Sequence, residues 1–122
     1  MENSDIALKQ AMMIEGALGV ALDVNSGMAL GTLGGGKDLD LGVGAAGNTD
    51  LVRAKLRVME MLGVTGSIED ILTTLTSQYH LVRPLTAHGG AGLFLYLVLD
   101  RRRANLALAR RQLQQVDAVL DI

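Results

Sequence analysis

A run of seven apolar residues, Leu93–Leu99, restricts the fold of this chain more than any other feature. Its length is typical of a β-strand that is buried on both faces. Asp100 follows directly and is predicted to cap a helix that begins at once and continues to Leu120. Apolar residues recur along that helix as one stripe: Leu106, Ala109, Leu113, Val116 and Leu120. A buried strand that leads into an amphipathic helix predicts a small layered α/β protein with a covered sheet.

Length and composition narrow the class of protein. The 122 residues suffice for one hydrophobic core, so we expect a single domain over residues 1–122. Aromatic residues are limited to Tyr79, Phe94 and Tyr96, which is too few to stack single-stranded nucleic acid. The formal net charge of -2 gives no basic surface for duplex nucleic acid. We therefore expect an aliphatic core and no nucleic-acid partner.

Several chemistries are excluded by residue type. The chain contains no cysteine, which rules out disulfides, thiolate metal ligands and cysteine nucleophiles.

The acidic start, residues 1–5, lacks the basic and then apolar layout of a signal peptide. No apolar stretch approaches the roughly 20 residues that cross a bilayer. We expect a cytoplasmic protein without membrane insertion.

The first third of the chain predicts a short helix and a β-hairpin. The helix is expected over residues 6–15, and the strands over residues 17–23 and 28–33. Asn25, Ser26 and Gly27 lie between two apolar runs and indicate the hairpin turn.

One long helix is predicted over residues 39–62, after a glycine-rich loop. Glycines in its first half each cost about 1 kcal/mol relative to alanine, so a start near residues 48–50 is the alternative. Those glycines are Gly42, Gly44 and Gly47. The residues assigned to the sheet are Val52, Leu56 and Met59, and those on a neighbouring face are Leu51, Val58 and Leu62. This stripe is wider than one sheet contact requires, and Gly63 is predicted to end the helix.

A three-stranded meander is predicted over residues 67–75, 78–85 and 93–99. The first segment is ambiguous, because its apolar spacing and a capping-box match at residues 67–70 favour a helix. Its short length and its β-branched residues favour a strand. We interpret it as a strand.

The segment from Gly31 to Lys37 fits the pattern GxxxxGK of phosphate-binding loops. Such a loop needs Ser or Thr at the next position, where a hydroxyl ligates magnesium. Asp38 occupies that position, and its carboxylate, like that of nearby Asp40, would repel phosphate. We expect no nucleotide binding here.

Other polar residues offer no catalytic set. His80 and His88 are the only histidines, and no neighbouring carboxylate gives either of them metal-ligand spacing. Glu69 and Asp70 are adjacent, so in a strand they would point to opposite faces. We expect no metal, no cofactor and no enzymatic activity.

Arg101, Arg102 and Arg103 stand at the predicted start of the last helix. Cations there oppose the positive end of the helix dipole, so helix stability does not explain them. They could bind an acidic partner, pair with Asp70 or Asp100, or form a solvated turn.

The predicted order of elements resembles the roadblock/dynein light-chain family, and so do several segments of the sequence. These are IEGALGVA (14–21), SGMAL (26–30), QYHLVRPL (78–85), LFLYLVLDR (93–101) and NLALAR (105–110). The resemblance implies an α+β layered fold, a five-stranded antiparallel sheet in the order 2-1-5-4-3, in which residues 93–99 form the central strand. The long helix is expected on one face and the N- and C-terminal helices on the other. Residues 67–75 become an edge strand.

The resemblance also implies a function. Members form homodimers, in which the long helices pack side by side and the edge strands join. The bacterial branch regulates or scaffolds small Ras-like GTPases without binding nucleotide, and the eukaryotic branch serves as dynein light chains and as scaffolds for Rag-type GTPases. We expect a homodimeric, non-catalytic regulator or scaffold of a Ras-like GTPase; the alternative is a purely structural dimerisation module. The expected dimer interface comprises Leu51, Val58, Leu62, Ile68, Asp70 and Leu72, and the expected partner surface comprises Arg53, Arg57 and Glu60.

Overall fold

The computed structural model describes residues 2–24, 26–85 and 92–120. Its elements, in chain order, are α1 (Glu2–Met12), β1 (Ala17–Val24), β2 (Ala29–Gly34), α2 (Leu41–Leu62), β3 (Ile71–Thr74), β4 (Gln78–Pro84), β5 (Leu93–Asp100) and α3 (Leu106–Val119). The strands form one antiparallel sheet in the order β2-β1-β5-β4-β3. The expected architecture and strand order are confirmed. Among the described residues, no helix is both long and apolar enough to cross a membrane.

The central strand β5 separates two apolar layers. It pairs with β1 on one side and β4 on the other, and its residues 94–99 are all buried. Leu95, Leu97 and Leu99 pack with α1 and α3, whereas Tyr96 and Val98 face α2. The run of apolar residues is therefore explained by burial of both faces of the strand.

The predicted helix start after β5 is wrong. Asp100 ends the strand, and its carboxylate accepts a hydrogen bond from the backbone N–H of Arg102 within a turn. The helix begins at Leu106, where the Asn105 side chain accepts from the N–H of Leu108 and acts as the N-cap. The predicted stripe is confirmed, because Ala109, Leu113, Val116 and Leu120 are buried and Leu106 packs against them.

The long helix α2 begins at Leu41, so the alternative start near residues 48–50 is wrong. Asp40 is the N-cap, and its side chain accepts a hydrogen bond from the N–H of Val43 at 3.1 Å. Gly44 lies against the ring of Tyr96; a Cβ at this position would lie 2.8 Å from Cε2. This glycine, which from sequence only weakens the helix, allows the helix to approach the sheet. Gly63 ends the helix in the left-handed region, with φ of 72°.

Only the first half of α2 is buried against the sheet. Its buried residues are Leu41, Ala45, Asn48, Thr49 and Val52. Val52 packs on the sheet as predicted, but the assignment of Leu56 to the sheet is wrong, because 50% of this residue is exposed. Met59 is partly buried. Sequence periodicity identified an apolar face without indicating where the helix leaves the sheet.

Smaller differences concern the ends of elements. The first helix spans residues 2–12 rather than 6–15. The edge segment is a strand, as we interpreted it, but only from Ile71 to Thr74, and residues 67–70 precede it without regular structure.

Candidate self-association and partner surface

From Leu51 onward, α2 carries large apolar side chains that this single chain leaves open to water. They are between 38% and 82% exposed: Leu51, Leu56, Val58, Met61 and Leu62. Val64 directly after the helix is also exposed. We call this set, including Val64, the α2 apolar strip. Several large apolar side chains exposed on one helix mark an interaction site more often than single scattered ones do.

The residues expected to contact a partner helix lie on one flank of the strip. Val58 follows Leu51 by about two helical turns, and Leu62 follows Val58 by about one more. The three side chains therefore form a row along the helix. Met61 is the most exposed residue of the strip at 82%, and the sequence reasoning did not include it. Its position next to Leu62 was the available signal.

The residues expected at the sheet edge have different surroundings. Ile68 and Leu72 are partly buried, and Leu72 packs against the core on the α1 and α3 face. Asp70 binds Arg110 of α3 through two hydrogen bonds of 3.0 Å. Among the described residues, β3 pairs with β4 and leaves its other edge unpaired.

A groove of about 660 Å³ connects the end of α2 with the start of β3. Its walls include Lys55, Met59, Leu62, Ile68, Asp70 and Arg110. A second groove of about 410 Å³ has mostly apolar walls and lies between α2 and the ends of β4 and β5. Leu56 and Arg53 line this second groove together with Pro84 and Phe94. The α2 apolar strip and edge strand β3 therefore border a common concave surface.

The expected partner residues form a charged flank of α2. Arg53, Arg57 and Glu60 are exposed and lie four and three residues apart, so they share one side of the helix. Lys55 is exposed on the other side of the helix, where it lines a groove with Leu62. These charges border the α2 apolar strip, as charged rims border the apolar centre of many protein interfaces.

The polar groups beneath α2 are enclosed. Asp23 is fully buried, and desolvation raises the pKa of its carboxyl group to about 6 despite a hydrogen bond from Asn48. The ring nitrogens of His80 share hydrogen bonds with the Tyr96 hydroxyl at 3.0 Å and with Gln78 Oε1 at 2.8 Å, and burial lowers the pKa of this histidine. Both ring nitrogens of His80 thus have partners on the sheet itself.

The described part of the chain contains no group of three or more histidine, cysteine, aspartate and glutamate side chains that could hold a metal ion. His88 lies outside the described residues. In the glycine-rich segment, Gly31 belongs to β2, and Asp40 already caps the N-terminus of α2, where a phosphate would have to bind.

Comparison with solved structures identifies the fold. The gliding protein MglB from Thermus thermophilus superposes with a TM-score of 0.82 at 18% sequence identity, covering 98% of this chain and 86% of that one. A roadblock/LC7 domain from Streptomyces avermitilis gives 0.80 at 16% identity, covering 93% and 91%. A structure of MglB with a tetrameric arrangement gives 0.76 at 17% identity, covering 98% and 88%. No protein-family model and no curated protein matches the sequence. The chain has the roadblock/LC7 fold and is similar to MglB in structure.

Proposed function

We propose that this chain, which has the roadblock/LC7 fold, forms a homodimer that acts as a non-catalytic scaffold or regulator of a small Ras-like GTPase in the cytoplasm. The observation that carries the proposal is the α2 apolar strip, since five large apolar side chains of one helix lie open to water in the single chain. Burial of such side chains provides the main favourable free energy of most protein association.

A two-fold symmetric contact between two copies of the chain would cover the α2 apolar strip of both. An isologous interface buries the same patch on both subunits, so one stripe of residues serves both sides. The proposed interface places Leu51, Val58 and Leu62 against their symmetry mates and brings β3 of both subunits together. Such pairing would also satisfy the open edge of β3, which is otherwise a template for aggregation. The tetrameric arrangement of MglB supports self-association as a property that this fold permits.

The GTPase part of the proposal rests on the family resemblance and on the charged flank of α2. In a dimer the flank would be present twice, once on each α2, on the side of the helix that faces away from Leu51, Val58 and Leu62. Arg53, Arg57 and Glu60 would then form the rim of a binding surface. Charged rims act mainly on the association rate and on its salt dependence.

Biolayer interferometry tests the proposed GTPase binding. It measures the binding of this protein to Ras-like GTPases encoded beside the gene, loaded with GDP or a GTP analogue. We expect Arg53→Glu combined with Arg57→Glu to slow association while circular dichroism stays unchanged. The matched control is Arg102→Glu with Arg111→Glu, which reverses two exposed charges away from α2. Equal binding by wild type and the α2 double variant would exclude this flank. Absence of binding to every such GTPase would favour the structural dimerisation module instead.

A further inference from the structure

The edge strand β3 has little apolar burial to hold it. It contains four residues, of which Ile71 and Leu72 are only partly buried and Thr73 and Thr74 are exposed. Its backbone ladder with β4 ends at the pair Ile71 and Val82. A strand this short and exposed is expected to open locally at low free-energy cost.

Guanidinium groups hold both ends of this strand. Arg110 of α3 binds the Asp70 carboxylate in a bidentate arrangement directly before the strand. Arg83 donates from Nη1 to the carbonyl oxygen of Glu69 at 3.2 Å, beyond the last backbone pair. At the other end, Arg101 donates from Nη1 to the carbonyl oxygen of Leu75 at 2.9 Å. We call Arg83, Arg101 and Arg110 the arginine clamp.

Each of the other two arginines is itself held by a second contact. Arg83 Nε donates to Asp117 Oδ2 at 2.8 Å, and this ion pair is largely shielded from water. The Arg101 guanidinium lies 5.4 Å from the centre of the Tyr79 ring, within the range of a cation–π contact. Donors that are fixed in this way lose little further freedom when they bind a carbonyl oxygen.

We infer that the arginine clamp keeps β3 extended for pairing with β3 of a second copy, so that Arg83, Arg101 and Arg110 are positioning residues for self-association. This inference rests on the proposed homodimer. A binding segment that is already ordered pays less conformational entropy on association than one that must first be ordered. Loosening the clamp therefore weakens the dimer even though none of these side chains has to touch the partner.

Sedimentation equilibrium of wild type and Arg110→Gln tests the inference. The fork on Asp70 is lost, and we expect the dimer dissociation constant to rise about tenfold, the scale of one charge-assisted contact. Arg110→Lys keeps the charge but not the planar fork, so its dissociation constant should lie between the two. The matched control is Arg111→Gln, which removes an exposed arginine from the same helix and should leave the dissociation constant unchanged.

Hydrogen exchange distinguishes the ordering of β3 within one chain from its burial in the dimer. The amides of residues 71–74 are followed in a Leu62→Asp background, where a charge in the proposed interface keeps the chain monomeric. Arg110→Gln should accelerate exchange at these amides without changing the unfolding midpoint of the rest of the protein. If Arg110→Gln left the exchange of these amides unchanged, the role of the clamp would be contradicted. The same holds if wild type is a dimer and Arg110→Gln has the same dissociation constant. Neither result would contradict the proposed dimer. A wild type that is monomeric throughout would contradict the proposed dimer, and the clamp's role in it as well.

Discussion

The carboxylate of Asp23 on β1 and the side-chain amide of Asn48 on α2 are joined by a hydrogen bond of 3.1 Å inside the protein. The second carboxylate oxygen of Asp23 is buried and has no hydrogen-bond partner among the residues that the structure describes. Desolvation therefore raises the pKa of this group to about 6, against 3.8 for the ordinary value. The contact fixes α2 on the sheet, but it holds a carboxyl group that is expensive to ionise.

Asp23→Asn is expected to change the pH dependence of stability. The pKa of Asp23 is higher in the folded than in the unfolded protein. Its contribution to the free energy of unfolding is therefore fully present below pH 3.8, declines between pH 3.8 and about pH 6, and is constant at higher pH. The decline amounts to roughly 3 kcal/mol. Asp23→Asn removes this decline, so its stability relative to wild type should rise by up to that amount between pH 4 and pH 7, as measured by urea unfolding. Asp38→Asn, an exposed control, should run parallel to wild type. A variant with the same pH profile as wild type would show that Asp23 does not titrate as described.

Gly44→Ala and Gly47→Ala are expected to change stability in opposite directions. Both remove a glycine from the interior of α2, which by itself stabilises a helix by about 1 kcal/mol. A Cβ at Gly47 would meet no described residue within 4 Å, whereas one at Gly44 would lie 2.8 Å from the Tyr96 ring. We expect Gly47→Ala to stabilise the protein by up to about 1 kcal/mol and Gly44→Ala to destabilise it by about 1 kcal/mol, since overpacking costs typically 1–3 kcal/mol.

Thermal and urea unfolding of the two variants measure this difference. Their comparison is well controlled, because the helix and the substitution are the same. Equal stabilisation by both variants would contradict the close approach of α2 to Tyr96.

The glycine-rich segment ending at Lys37 is expected to bind neither ATP nor GTP with magnesium. Gly31 is part of a strand, and Asp40 caps the helix that would otherwise receive a phosphate. Titration calorimetry should give no heat of binding for wild type or Lys37→Ala. Micromolar binding that Lys37→Ala abolishes would contradict this prediction.

The sequence predicted those parts of the fold that depend on local pattern. The unbroken apolar run of β5 has the length of a strand that is buried on both faces. The apolar stripe of α3 has the period of a helix that is buried on one face. The strand order and the edge position of β3 came from the family resemblance, since they depend on contacts between distant segments.

Other features could not be predicted, because contacts distant in sequence decide them. Asp100 is predicted to cap a helix, but the backbone N–H of Arg101 donates to the carbonyl oxygen of Ser77, residues 101–103 form a turn, and the helix begins at Leu106. Of the two carboxylates with which the arginines at 101–103 could pair, Asp100 lies 4.0 Å from Arg102, whereas Asp70 is bound by Arg110, forty residues away. The expected interface and partner residues stay predictions. The structure adds that Leu51, Val58 and Leu62 are exposed in the single chain, and that Asp70 already has an intramolecular partner.

The molecular mass in solution tests the central claim most directly. Light scattering after gel filtration should give twice the 12.9 kDa of one chain for wild type at micromolar concentration. Leu62→Asp should give 12.9 kDa with an unchanged circular dichroism spectrum, because Leu62 is 70% exposed in the single chain. Val119→Asp, at an exposed apolar position of α3, should remain dimeric. A monomeric wild type, or a Leu62→Asp variant that stays dimeric, would contradict self-association through the α2 apolar strip.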